Sequence, residues 1–198
     1  MKSKLVLIII SMALFSCAGS YKAIKPATLS YTGEDDVDGL IASYRYDVLR
    51  ETGNKKYANK ELKKGIKLVA VKIENNTGRT ISLRNDVRIY SGERQVLPLD
   101  PKIVHHSLRQ PAPLYLLWGL LWLTITNCDD DDCSVTPIPV GLGIGLINVG
   151  IASSANSKFL DELYQTNILD KEIKAGETAY GLVGISAEVT SQLKFRLD

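Results

Sequence analysis

Apolar and polar side chains alternate most regularly from Ile66 to Ile73 (IKLVAVKI). Leu68, Ala70 and Lys72 share one face, and Val69, Val71 and Ile73 share the other, which is the period of a β-strand. Ala42 to Leu49 alternates in part and carries β-formers, so a strand is predicted there too. Asn75-Asn76-Thr77-Gly78 marks a turn, because Asn and Gly tolerate positive φ. Thr80 to Leu83 alternates again. Val87 to Tyr90 and Gln95 to Leu99 flank Ser91-Gly92-Glu93-Arg94 and predict a hairpin. Ala175-Gly176-Glu177 predicts a turn before two closing strands, Thr178 to Ile185 and Gln192 to Leu197. Lys55 to Lys64 (KKYANKELKK) is charged and helix-friendly but poor in apolar positions, so it predicts a short exposed helix or a solvated turn ending at Gly65. Short strands joined by Gly and Asn turns predict a mainly β chain with a helical insertion, built on an antiparallel sandwich.

The pattern changes between about 101 and 165. Pro101 to Arg109 predicts a short helix. Leu114 to Ile125 is aromatic or aliphatic nearly throughout, and Leu117, Trp118, Leu121 and Trp122 sit among residues that leave no polar face. Val135 to Ala152 is apolar and rich in glycine. Gly141 and Gly145 stand four apart, a spacing that lets another segment approach closely, and Ala152 and Ala155 extend the small-residue supply. The expectation is an apolar helical hairpin, with a helix over Val140 to Tyr164 packed against Leu114 to Leu123. Gly141 to Gly150 also alternates with period two, so a β reading is its rival.

Membrane crossing fits poorly. The arms are about 13 and 18 residues against the roughly 20 a spanning helix needs. Asp129 to Asp132 stand between them, and each Asp at mid-bilayer costs about 2.5 to 3.5 kcal/mol. Burial against the sandwich is expected first. A contact with an envelope protein or a second copy through Leu117, Trp118, Leu121 and Trp122, or shallow seating in a bilayer surface, are the alternatives.

The beginning of the chain, MKSKLVLIIISMALFSC, has two lysines and then a run of about eleven apolar residues, Leu5 to Phe15. That run is short for a membrane span and right for a secretory signal. Leu14-Phe15-Ser16-Cys17 resembles the lipobox of bacterial lipoproteins. The resemblance implies cleavage between Ser16 and Cys17, acylation of Cys17, and a signal peptide over 1–16. Ala18 stands where an aspartate often retains such proteins at the inner membrane, which implies the outer membrane. The pattern of Asn75 to Gly78 with Ile173 to Gly181 is similar to immunoglobulin-like modules of cell-envelope lipoproteins, and implies an Ig-like sandwich. Residues 17–30 are small, polar and broken by Pro26, and are expected to be a lipidated tether ahead of a single domain over 31–198.

Charge and candidate chemistry change this picture little. The 24 Lys+Arg and 22 Asp+Glu become balanced once Lys2 and Lys4 leave with the signal, which argues against nucleic acid. Cys128 and Cys133 bracket the aspartates as a paired remainder and predict a small disulfide loop in an oxidising compartment. Four adjacent aspartates lack the alternation and glycine of a calcium loop. His105 and His106 are adjacent and have no third ligand at metal spacing. No nucleophile elbow, P-loop or dinucleotide fingerprint occurs. A non-catalytic interaction protein without cofactor or metal is the expectation, with a ligand pocket under the apolar insert as the alternative.

Overall fold

The computed structural model describes residues 17–129, 132–186 and 191–198. It is a mixed α+β structure with mostly antiparallel sheets. Along the chain come β1 (Gly33–Val37), β2 (Leu40–Arg45), α1 (Val48–Glu51), α2 (Lys55–Lys64), β3 (Ile66–Asn75), β4 (Ile81–Ser82) and α3 (Leu83–Asp86). They are followed by β5 (Val87–Ser91), β6 (Arg94–Val96), β7 (Pro98–Leu99), α4 (Pro101–Leu108) and a 3-10 helix, Ala112–Leu120. The last third holds β8 (Leu123–Asp129), β9 (Asp132–Ile138), α5 (Val140–Gln165), β10 (Glu172–Ile173), β11 (Thr178–Ser186) and β12 (Leu193–Leu197). The described residues divide into two compact units: Tyr21–Arg109 with Asn156–Asp198, and Gln110–Ala155 with residues 17–20.

In the first unit, a five-stranded sheet runs in the order β1-β2-β3-β11-β7 and a three-stranded sheet in the order β12-β5-β6, all antiparallel. Both sheets feed one core, in which Val69, Val71 and Ile73 meet Ile89, Val183, Ile185 and Phe195. The alternation read from the sequence put these β3 residues on one face, and that face is the core. The opposite face of β3 is also covered. Leu68 and Ala70 are buried, and α1 and α2 lie against the strand. Register places Gly181 opposite Val71, where a Cβ would come within 2.5 Å of the Thr166 carbonyl oxygen and 2.6 Å of Ile168 Cβ.

Three features of this unit depart from the sequence reading. The helix Lys55–Lys64 is well anchored: Tyr57 is completely buried, with its ring 4.7 Å from Phe159 and 5.3 Å from Tyr21. β1 (GEDDV) forms although acidic residues disfavour strands, because β2 offers it a full antiparallel register and Asp35 accepts the Phe195 N–H at 2.6 Å. The expected tether over 17–30 is largely packed. Tyr21 and Ile24 are buried, Asn54 exchanges side-chain bonds with the Lys22 backbone at 2.8 and 2.7 Å, and Glu162 accepts from the Ile24 N–H at 2.6 Å and from the Tyr21 hydroxyl. Apolar Tyr21 and Ile24 fill a gap that a polar spacer would leave open.

Candidate functional site

The second unit is where the sequence departs most from an ordinary soluble domain. The part of α5 that belongs to it, Val140 to Ala155, places Gly141, Gly145, Asn148, Ala152 and Ala155 on its buried side. The 3-10 helix fits against that side. A Cβ on Gly141 would lie 1.7 Å from the Trp118 carbonyl oxygen, and one on Gly145 would lie 2.9 Å from that of Tyr115. The Gly141 N–H also donates to the Leu121 carbonyl at 3.0 Å. The helix reading of the glycine-rich stretch therefore prevails over its β rival, because close approach of two backbones needs glycine where the helix touches its partner. Between these two arms the chain forms a two-stranded ribbon, β8 with β9, in place of a simple helical turn. Cys128 and Cys133 face each other across the ribbon at disulfide-bonding distance, S–S 2.03 Å. Asp130 and Asp131 lie outside the described residues.

Within their own unit the apolar arms bury few of their large side chains. The buried cluster of this unit consists of Ala112, Tyr115 and Ala152, with Ala18, Trp118 and Val149 packed on it. The large side chains point the other way. Leu117 is 62 % exposed, Trp122 58 % and Ile147 65 %, and Leu114, Leu116, Leu120, Leu123, Leu142 and Leu146 are exposed with them. Of the four residues singled out as an interaction surface, Leu117 and Trp122 are exposed, while Trp118 and Leu121 are half-buried and take part in the fit against Gly141. From Gln110 to Ala155 the only charged side chains are the four aspartates. The exposed aliphatic and aromatic side chains of this unit come from its two arms.

Two polar residues that the sequence reading passed over fix the backbone at Ala18 and Gly19. Asn148, 5 % exposed in the middle of an apolar helix, accepts the Ala18 N–H at 2.5 Å and donates to the Ile144 carbonyl at 2.8 Å. Gln110, also buried, accepts the Gly19 N–H at 2.9 Å and donates to the Gly19 carbonyl at 2.6 Å. A buried amide that is fully bonded is stable, whereas an unbonded one is costly. The signal for both was in the sequence: each is a lone amide flanking or interrupting an apolar run. Cys17, the expected acylation site, is exposed next to this pinned backbone. Its electrostatic neighbour Tyr115 has its hydroxyl pKa raised, first by burial and then by the cysteine. Ser16 lies outside the described residues.

The other candidates separate from this surface. His105, in α4, is half-buried; its Nε2 sits 3.1 Å from the Asn156 carbonyl and burial lowers its pKa. His106 is exposed. Among the described residues no three His, Cys, Asp or Glu side chains come together as a metal site. An open cleft of 610 Å³ in the sandwich unit is lined by Tyr21, Ile24, Lys25, Lys158, Asp161 and Glu162 among others. Its charged lining does not suit an acyl chain. The carboxyl of Glu162 is pushed up by burial, against the bonds from Tyr21 and Ile24, and those bonds give it a structural task. No protein-family model, no curated protein and no solved structure matches the chain.

Proposed function

We propose that the chain is a non-catalytic, lipid-anchored protein of the bacterial cell envelope, attached through an acylated Cys17 and associating through the apolar face of the Gln110–Ala155 unit. The observation that carries this reading is the coincidence of two features in one unit: the cysteine that ends the lipobox-like Leu14-Phe15-Ser16-Cys17, and the exposed charge-free surface around Leu117 and Trp122. Buried acyl chains contribute about 0.8 kcal/mol per CH₂, so several on one residue hold a protein on a bilayer without a spanning helix. The Cys128–Cys133 pair suits an oxidising compartment outside the cytoplasm. Ala18 after the cysteine favours sorting to the outer membrane. Under this reading the sandwich serves as a rigid body for display and carries out no chemical step.

The test is metabolic labelling with an alkyne fatty acid. The wild-type chain takes up the label and migrates as a mature protein lacking residues 1–16. Cys17→Ser takes up none and accumulates as the uncleaved precursor. Labelling that survives Cys17→Ser refutes the anchor.

A further inference from the structure

We propose that the apolar face of the Gln110–Ala155 unit seats in the surface of a lipid bilayer beside the acylated Cys17, an inference that rests on the lipid-anchor reading above. Three observations favour lipid over protein as the occupant. First, no free spacer separates the acyl chains from the body. Ala18 is bonded to Asn148 and Gly19 to Gln110, and consecutive Cα atoms are about 3.8 Å apart. Acyl chains on Cys17 therefore enter hydrocarbon close to α5 and bring this unit onto the bilayer. Second, the α5 segment is turned inside out. Gly141, Gly145 and Ala152 face protein, while Leu142, Ile144, Leu146, Ile147 and Ile151 face outward. That is the arrangement of helices in lipid, where small residues make the protein contact and aliphatic ones meet the acyl tails. Third, a protein interface carries a polar rim, whereas here both arms lack charge, and Asp129 ends a seven-residue strand in register with Asp132. At about 3.3 Å per residue the ribbon spans about 20 Å, enough to keep the acidic end in water while its base, Trp122 and Leu123, sits at the interface where Trp concentrates.

Helix Val140–Gln165 is long and apolar enough by composition to cross a membrane. Its last turns carry Lys158, Asp161 and Glu162, and Glu162 is bonded to Tyr21 and Ile24 in the sandwich unit. Shallow seating satisfies the aliphatic side without moving those charges into hydrocarbon.

The experiment uses the acylated full chain carrying Trp118→Phe, so that Trp122 is the one fluorophore of its kind. It is reconstituted in phosphatidylethanolamine–phosphatidylglycerol vesicles with bromine at acyl carbons 6,7 or 11,12. Seating predicts at least twofold quenching of Trp122 by the 6,7-brominated lipid, weaker quenching by the 11,12-brominated lipid, and iodide quenching several-fold below that of free tryptophan amide. Adding Leu117→Glu and Leu120→Glu restores iodide access while the acyl chains keep the protein on the vesicle. Mass spectrometry of the same sample reads the acyl groups. Trp122 open to iodide on an acylated chain overturns the seating and leaves the anchor standing. Shielding from both quenchers with a dimer mass assigns the face to a second copy, and strongest quenching at carbons 11,12 assigns a crossing. Each of those results overturns the proposal. An unmodified Cys17 overturns the anchor and the seating together.

Discussion

The fit between the two arms of the apolar unit makes opposite predictions for glycines of one helix. Gly143 and Gly150 of α5 have nothing within 4 Å of where a Cβ would stand. Alanine there removes the backbone-entropy cost of glycine and stabilises the helix by about 0.5 to 1 kcal/mol. Gly141→Ala places a methyl group 1.7 Å from the Trp118 carbonyl oxygen and 2.8 Å from Leu121 Cβ. Backbone cannot rotate away as a side chain does, so the 3-10 helix has to shift by more than an ångström. Overpacking of this kind costs about 1 to 3 kcal/mol, which outweighs the propensity gain. Gly145→Ala meets the Tyr115 carbonyl at 2.9 Å, a milder conflict that leaves it between the two extremes. The chain has two tryptophans, both in this unit, so guanidinium unfolding followed by Trp emission reports on it directly. The expected order of midpoints is Gly143→Ala and Gly150→Ala above wild type, then Gly145→Ala, then Gly141→Ala. A Gly141→Ala midpoint level with that of Gly143→Ala would refute the close backbone approach.

Further outcomes follow from the sandwich unit and the ribbon. Burial pushes the Glu61 carboxyl up to about 7 from an ordinary 4.5, against the opposing pull of its bond from the Leu68 N–H. The folded state therefore binds the proton more tightly than the unfolded chain, so this group's contribution is full below pH 4.5 and is lost as pH rises through about 7. That rise corresponds to about 3 kcal/mol. Glu61→Gln keeps an acceptor for Leu68 and removes the charge; its urea stability gains on wild type by up to that amount between pH 4.5 and 8, and parallel profiles would contradict the assignment. Phe159, fully buried between Tyr21 and Tyr57, should cost about 3 to 5 kcal/mol as Phe159→Ala in thermal unfolding of the sandwich. Cys128→Ser with Cys133→Ser removes a short loop closure worth about 2 kcal/mol. Amide exchange should accelerate in the ribbon and stay unchanged in β3 and β11, and equal acceleration in both would sink the local role.

The strands of the sandwich were legible because their causes are local. Period-two alternation in Ile66–Asn75, and turn residues at Asn75 to Gly78 and at Gly176, act through neighbouring backbone, and Gly78 and Gly176 do take positive φ, 78° and 79°. The close-packing role of Gly141 and Gly145 was legible for the same reason. β1 was not, since Asp35 and Asp36 oppose a strand until β2 and β12 supply their partners. Nor was the burial of Tyr21 and Ile24, which depends on Glu162, Asn54 and Tyr57 being brought to them from distant points in the chain.

By itself the sequence determined the main strands and turns of the sandwich and the glycine-spaced helix of the insert, and that charge is confined to one point of that insert. Only the tertiary structure decided which side of that insert is buried within its own unit. Hydropathy belongs to a residue, but burial belongs to the surfaces that meet. Small residues on α5 let the 3-10 helix take the inner side, and this turned Leu117, Trp122 and Ile147 outward. The same long-range pairing decided where Cys17 sits, because Asn148 and Gln110 lie more than ninety residues from the backbone they hold.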